Sequence, residues 1–220
     1  MQAMRNQRLR MRQPADQHLH AGQQQIDPDA DPGGALGFTS AQFVGVGRGG
    51  LNGRHADCPI LSASILAVTI MGRLREILEI AQIRGRDLER PYAGELTPCE
   101  CAELWASAPG ARLVDVRTRA EWDWVGRIPG AVEIEWNQYP GGGRNPHFAA
   151  ELRRQVDPEA LVMFICRSGV RSIAAAAQAS ELGYTNCYNV LEGFEGDRDA
   201  RGQRNKIGGW RHAGLPWHQG

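Results

Sequence analysis

Residues 161–172 read Leu-Val-Met-Phe-Ile-Cys-Arg-Ser-Gly-Val-Arg-Ser, and this stretch constrains the fold more than any other part of the 220-residue chain. The run 161–165 is short, wholly apolar and bounded by polar residues, the pattern of a central strand covered on both faces. Residues 173–182 read as an alanine-rich helix. A strand that ends on Cys166 just before a helix brings the loop's backbone N–H groups and the positive end of the helix dipole to the sulfur. That setting favours a thiolate. Gly169 lets the loop take a positive φ, and Arg167 and Arg171 add two cations that oppose protonation of the thiol and attract anions. The pattern predicts a reactive thiolate in an anion cradle.

The flanking segments say what kind of sheet the strand belongs to. Leu74, Ile77, Leu78 and Ala81 recur at three- and four-residue spacing, predicting an amphipathic helix over 73–83 that packs on the domain or mediates dimer contacts. Thr97, Pro98 and Glu100 form a helix start with capping-box spacing, so a helix is expected over 98–107. Strands are expected over 112–116, 131–136 and 187–191, and helices over 118–124 and 146–156. Strands alternating with helices predict an α/β domain with a central, mostly parallel sheet and helices on both sides. Ligands in such sheets bind beyond the carboxyl ends of the strands, where Cys166 falls.

Ahead of this domain, residues 1–53 are rich in Gln, Arg and Gly, carry Asp-Pro pairs at 27/28 and 31/32, and show no sustained period. The expected organisation is a disordered leader over 1–70, a helix and linker over 71–95, and the main domain over 96–218. Met71 opens the first stretch of globular character, so an alternative is that the leader is no natural part of the protein. An intact mass of the native protein that includes residues 1–70 would exclude that alternative. The apolar run 60–71 is too short for a bilayer, which needs about 20 residues. Its position deep in the chain, followed by Arg73, Arg75 and Glu76, speaks against an export signal. With 25 basic and 25 acidic residues the formal net charge is zero, which removes any whole-chain case for nucleic acid or an anionic membrane. Five scattered cysteines, an odd number, argue against a secreted disulfide framework and for a reducing cytoplasm.

Three ordered motifs resemble the rhodanese family. Leu113-Val-Asp-Val-Arg117, Glu121-Trp122 and Gly126-Arg-Ile-Pro-Gly-Ala131 resemble its first signature, and Cys166 to Ser172 its active-site loop. Gly208-Gly-Trp210 through Gly214-Leu-Pro216 resembles its closing motif, so the likeness covers residues 96–217. It implies a rhodanese-like fold with a five-stranded sheet and a single-domain sulfurtransferase without cofactor or metal. Cys166 would accept a sulfane sulfur from a small anionic donor such as thiosulfate, become a persulfide, and pass the sulfur to a thiophilic acceptor. Cyanide or a thiol, a protein thiol included, would serve as acceptor. The family usually has His where this chain has Arg127, an exchange that keeps a polar donor and should not alter the chemistry.

Four residues separate Cys166 from Arg171, whereas the phosphatases and arsenate reductases that share the fold carry five. A ring of N–H groups needs the longer loop to wrap a tetrahedral oxyanion; the shorter one suits a terminal sulfur. The N–H groups of Arg167, Ser168, Gly169, Val170, Arg171 and Ser172 are therefore expected to hold the persulfide, with both arginines neutralising the donor's sulfonate. Sulfite leaves without a proton, so no general base is needed and the lack of a histidine near the loop is no objection. Two roles are open to the Ser172 hydroxyl: to cap the next helix, the plainer one, or to bond the sulfur. Asp115 is expected to order the loop through backbone N–H groups, and Arg117 to pair with Glu121 as scaffolding.

Cys99 and Cys101, two apart on a helix, face different directions and make no metal pair. Cys187 reads as a small core residue, though each cysteine is open as a resolving partner for Cys166. The six tryptophans read as core and rim packing, and His147, His212 and His218 as surface residues. The charged block 197–206 is either a solvated loop or a neighbour of the pocket. A second class of function is a persulfide carrier without turnover, or a redox-sensing or interaction module.

Overall fold

The computed structural model describes residues 59–219, with side chains from residue 66. Helix α1 spans Pro59–Asp87, and then β1 (Gly94–Leu96), α2 (Pro98–Ser107), β2 (Arg112–Asp115), α3 (Arg119–Val125) and β3 (Val132–Glu133) follow. The chain continues through α4 (Phe148–Gln155), β4 (Val162–Ile165), α5 (Val170–Glu181) and β5 (Cys187–Val190). The five strands form one sheet in the order β1-β5-β4-β2-β3, and every neighbouring pair is parallel. The expected α/β fold, a parallel five-stranded sheet flanked by helices, is the one observed.

Strand β4 lies centrally between β2 and β5 and is buried along its whole length. Its alternation divides the core. Val162, Phe164 and Cys166 pack on one face with Leu152 of α4 and Ala175, Ala176 and Ala179 of α5. Met163 and Ile165 pack on the other with Leu104 of α2 and Leu74, Ile77 and Ala81 of α1. Each face removes a row of large side chains from water, the dominant favourable term in folding. Cys166 therefore continues the period-2 row that faces α5, and that places its side chain under the N-terminus of that helix.

Several boundaries differ from expectation. Helix α1 begins at Pro59 rather than Arg73, so residues 59–70, read as the end of a disordered leader, are helical; residues 1–58, with Cys58, lie outside the described residues. The helix joins the domain core through Leu74, Ile77 and Ala81, while Leu66, Val68 and Met71 stand exposed. No helix among the described residues is long and apolar enough to cross a membrane. Strand β1 was not anticipated: three residues are too few for a period, and it is held by burial of Leu96 and by ladder pairing with β5. Strand β3 is regular only over Val132–Glu133 instead of 131–136, although the chain still donates from Ile134 to Asp115 O at 3.1 Å and from Trp136 to Val116 O at 3.2 Å.

Candidate active site

Cys166 follows β4 directly and is only 1% exposed. Gly169 takes φ +87°, as expected of the loop glycine, and serves as N-cap of α5. Helix α5 therefore starts at Val170 rather than at 173, and the amides of Val170, Arg171 and Ser172 form its first turn. No acceptor among the described residues takes a bond from the backbone N–H groups of Arg167 through Ser172. These donors, together with the helix N-terminus, make a site suited to negative charge.

Ser172 is fully buried, and its Oγ lies 3.2 Å from Cys166 Sγ and 3.0 Å from the Gly169 carbonyl oxygen. It bonds the sulfur and is not the helix cap, because Gly169 occupies that position and the hydroxyl points back across the first turn.

The two arginines of the loop behave differently. Arg167 is exposed, and its side chain has no hydrogen bond or ion pair among the described residues. Arg171 instead donates twice to Glu121, at 2.7 and 2.6 Å. Glu121 is also the N3 residue of a capping box, accepting from the Thr118 N–H at 2.9 Å. Burial alone would raise its carboxyl, but the bonds from Arg171 and Thr118 outweigh this and hold it at about 2. Its folded value lies below the ordinary 4.5, so the pair contributes stability above that pH and loses it as pH falls through about 2. Thermal melts between about pH 6 and pH 3 should show a smaller acid-side fall in Tm for Glu121→Gln than for the parent; equal falls would rule this linkage out.

The expected pairing of Arg117 with Glu121 is not observed. Arg117 is fully buried, and its Nε and Nη2 donate to Asp115 at 3.0 and 2.6 Å while Nη2 also reaches the Gly126 carbonyl at 2.8 Å. The sign of charge decides the partners: Arg171 enters from α5 and takes Glu121, leaving Asp115, two residues away on the same strand end, to neutralise Arg117. Nor does Asp115 bond the amides of the cysteine loop; its Oδ1 accepts from the Arg117 N–H at 3.0 Å.

The loop is ordered by a segment that sequence reading did not single out. The Phe194 N–H donates to the Cys166 carbonyl at 2.7 Å and the Glu195 N–H to the Arg167 carbonyl at 2.9 Å. Between them and β5, Gly193 has φ +64°, and a Cβ there would stand 2.4 Å from the Cys166 carbonyl oxygen and 2.7 Å from Ser168 N. The Arg117 guanidinium lies 3.8 Å over the Phe194 ring, which links Asp115 to the loop at one remove. The only signal in the sequence was a glycine among many in the run Leu191-Glu-Gly-Phe-Glu-Gly196.

The other candidate residues sort cleanly. Cys101 and Cys187 are buried free thiols, and burial pushes the Cys187 thiol up to about 12. Cys99 is a free, exposed thiol. Trp122, Trp136 and Trp210 are buried, whereas Trp124 is 78% exposed. His147, His212 and His218 are exposed. The block 197–206 is mostly exposed yet rooted beside the loop, with the Asn205 N–H donating to the Glu195 carbonyl at 2.7 Å.

Comparison with known proteins agrees with this architecture. The model of the rhodanese-like domain matches residues 100–200. An uncharacterised protein of Rickettsia rickettsii is 37% identical over 117 residues, covering 52% of this chain and 89% of that one. The thiosulfate sulfurtransferase GlpE of Actinobacillus succinogenes is 30% identical over 122 residues, covering 56% and 87%. Among solved structures, Rv0390 from M. tuberculosis is 47% identical with a TM-score of 0.55, covering 59% of this chain and 99% of that chain. The chain belongs to the rhodanese-like family, a sulfurtransferase family.

Proposed function

We propose that the protein is a sulfurtransferase in which Cys166 takes a sulfane sulfur from an anionic donor such as thiosulfate and hands it to cyanide or a thiol. The carrying observation is Cys166 at the start of a loop whose backbone N–H groups, from Arg167 to Ser172, have no acceptor among the described residues, with the Ser172 hydroxyl 3.2 Å from the sulfur. The Cys166 thiolate attacks the outer sulfur of the donor. A new S–S bond forms, the bond to the sulfonate breaks, and its electron pair leaves with sulfite. The charge now rests on the terminal sulfur, where the N–H groups from Arg167 to Ser172 receive it without reorganising. Ser172 carries a single hydroxyl proton and turns it to whichever of the sulfur and the Gly169 carbonyl is the stronger acceptor. The acceptor then attacks the terminal sulfur and Cys166 departs as thiolate.

Arg167 meets the sulfonate; Arg171 fixes α3 to the loop through Glu121. Asp115, Arg117 and Phe194 position the loop without touching the donor. The free thiols, one of them exposed, accord with a reducing cytoplasm. Thiocyanate formation from thiosulfate and cyanide, with mass spectrometry of Cys166, tests the reading. Turnover with a persulfide on Cys166 is the expected result, whereas a persulfide without turnover would identify a carrier. Gly193→Ala should lower kcat/KM by roughly 10- to 100-fold, because the added Cβ has no room beside the Cys166 carbonyl and displaces the loop. Unchanged kinetics would show that the 191–196 turn does not set the loop's geometry.

A further inference from the structure

Beside the cysteine loop lies a cleft of about 510 Å³ that an inorganic anion leaves largely empty. Arg167 and Arg171 line it together with Ala120, Trp124, Val125 and Tyr139. Trp124, at the end of α3, is 78% exposed, and Tyr139, on the turn closed by the Asn137–Arg144 bridge, is 68% exposed. Two exposed aromatic rings in the lining of one cleft supply flat apolar contact area with little conformational entropy to lose. The charge of the lining is equally telling. Glu121 cancels Arg171, so Arg167 is the one unpaired cation among the lining residues. Arg167, Arg171 and Glu121 together leave the lining with a net charge of one positive unit, which a monoanion balances and a dianion exceeds.

We infer that the cleft selects a monoanionic organic sulfane-sulfur donor, one bearing an apolar or aromatic body, over inorganic thiosulfate. The inference rests on the sulfur-transfer reading of Cys166 and adds the class of donor. With a thiosulfonate, the Cys166 thiolate attacks the terminal sulfur, the S–S bond of the donor breaks, and the electron pair leaves on an organic sulfinate. No proton moves, and the total charge is unchanged. Trp124 and Tyr139 hold the body of the donor while Arg167 faces its sulfonyl oxygens.

Three donors separate charge from body: benzenethiosulfonate, methanethiosulfonate and thiosulfate, each measured as kcat/KM with cyanide in excess. The parent should use benzenethiosulfonate at least about tenfold better than methanethiosulfonate. In a Trp124→Ala, Tyr139→Ala double variant that ratio should fall towards one. In Glu121→Gln, whose amide can still accept the capping-box bond, thiosulfate should gain several-fold on methanethiosulfonate. A parent ratio near one, or a ratio that survives loss of both rings, overturns the donor class while sulfur transfer stands. Absence of a Cys166 persulfide with all three donors overturns both.

Discussion

Cys166→Ser is expected to abolish thiocyanate formation, lowering kcat by at least about a thousandfold, with the melting temperature close to that of the parent. The size of the effect follows from the chemistry proposed for this position. A hydroxyl oxygen is a poor nucleophile towards sulfane sulfur at neutral pH and forms no persulfide, and sulfite departure offers no step that a neighbouring group takes over. The small effect on stability follows from the surroundings. Serine is slightly smaller than cysteine, and at this 1% exposed position its hydroxyl meets Ser172 and the unpaired loop amides, so burial of the new polar group is compensated. Steady-state kinetics and thermal melts read the two quantities separately. Persulfide on another residue, such as the exposed Cys99, together with retained turnover, would move the chemistry away from the β4–α5 loop.

Asp115→Ala should produce the largest loss of stability, about 3–5 kcal/mol, because it leaves the fully buried Arg117 guanidinium without its counter-ion. For a chain of this size that corresponds to a Tm lower by roughly 6–20 °C. Activity should fall as well, since Arg117 stacks on Phe194 and the Phe194 N–H holds the Cys166 carbonyl. A double variant, Asp115→Leu with Arg117→Met, removes both charges and keeps the volume, so it should recover much of the lost stability. It should recover less of the activity, because the methionine does not restore the cation over the ring. If the single variant were as stable as the parent, or the double variant no better than the single, the buried pair would not be the strut described.

Much of this site was legible in the sequence because its signals are local. A five-residue apolar run, a cysteine, a glycine able to take positive φ and a helix-forming tail lie within about twenty positions, and each constrains the backbone of its neighbours directly. The capping box expected at Thr97 is equally local and is formed, and a second one, at Thr118, starts α3. What was misread was long-range. Arg117 pairs with Asp115 and not with Glu121, since Arg171, fifty residues further on, claims Glu121. Ser172 looked like a cap because a hydroxyl near a helix start usually is one; the αL conformation of Gly169 moved the helix start and turned the hydroxyl to the sulfur.

The sequence by itself determined that this chain builds a parallel α/β sheet with a cysteine at the carboxyl end of a central strand, since apolar periodicity and turn chemistry are properties of short segments. Only the tertiary structure decided which charges remain free at that cysteine. Arg171 is neutralised by Glu121, Arg167 is left exposed, and the turn at Gly193 and Phe194 braces the loop. Ion pairs and backbone braces of this kind join residues up to fifty positions apart, and their partners are chosen by proximity and sign of charge after the strands have paired.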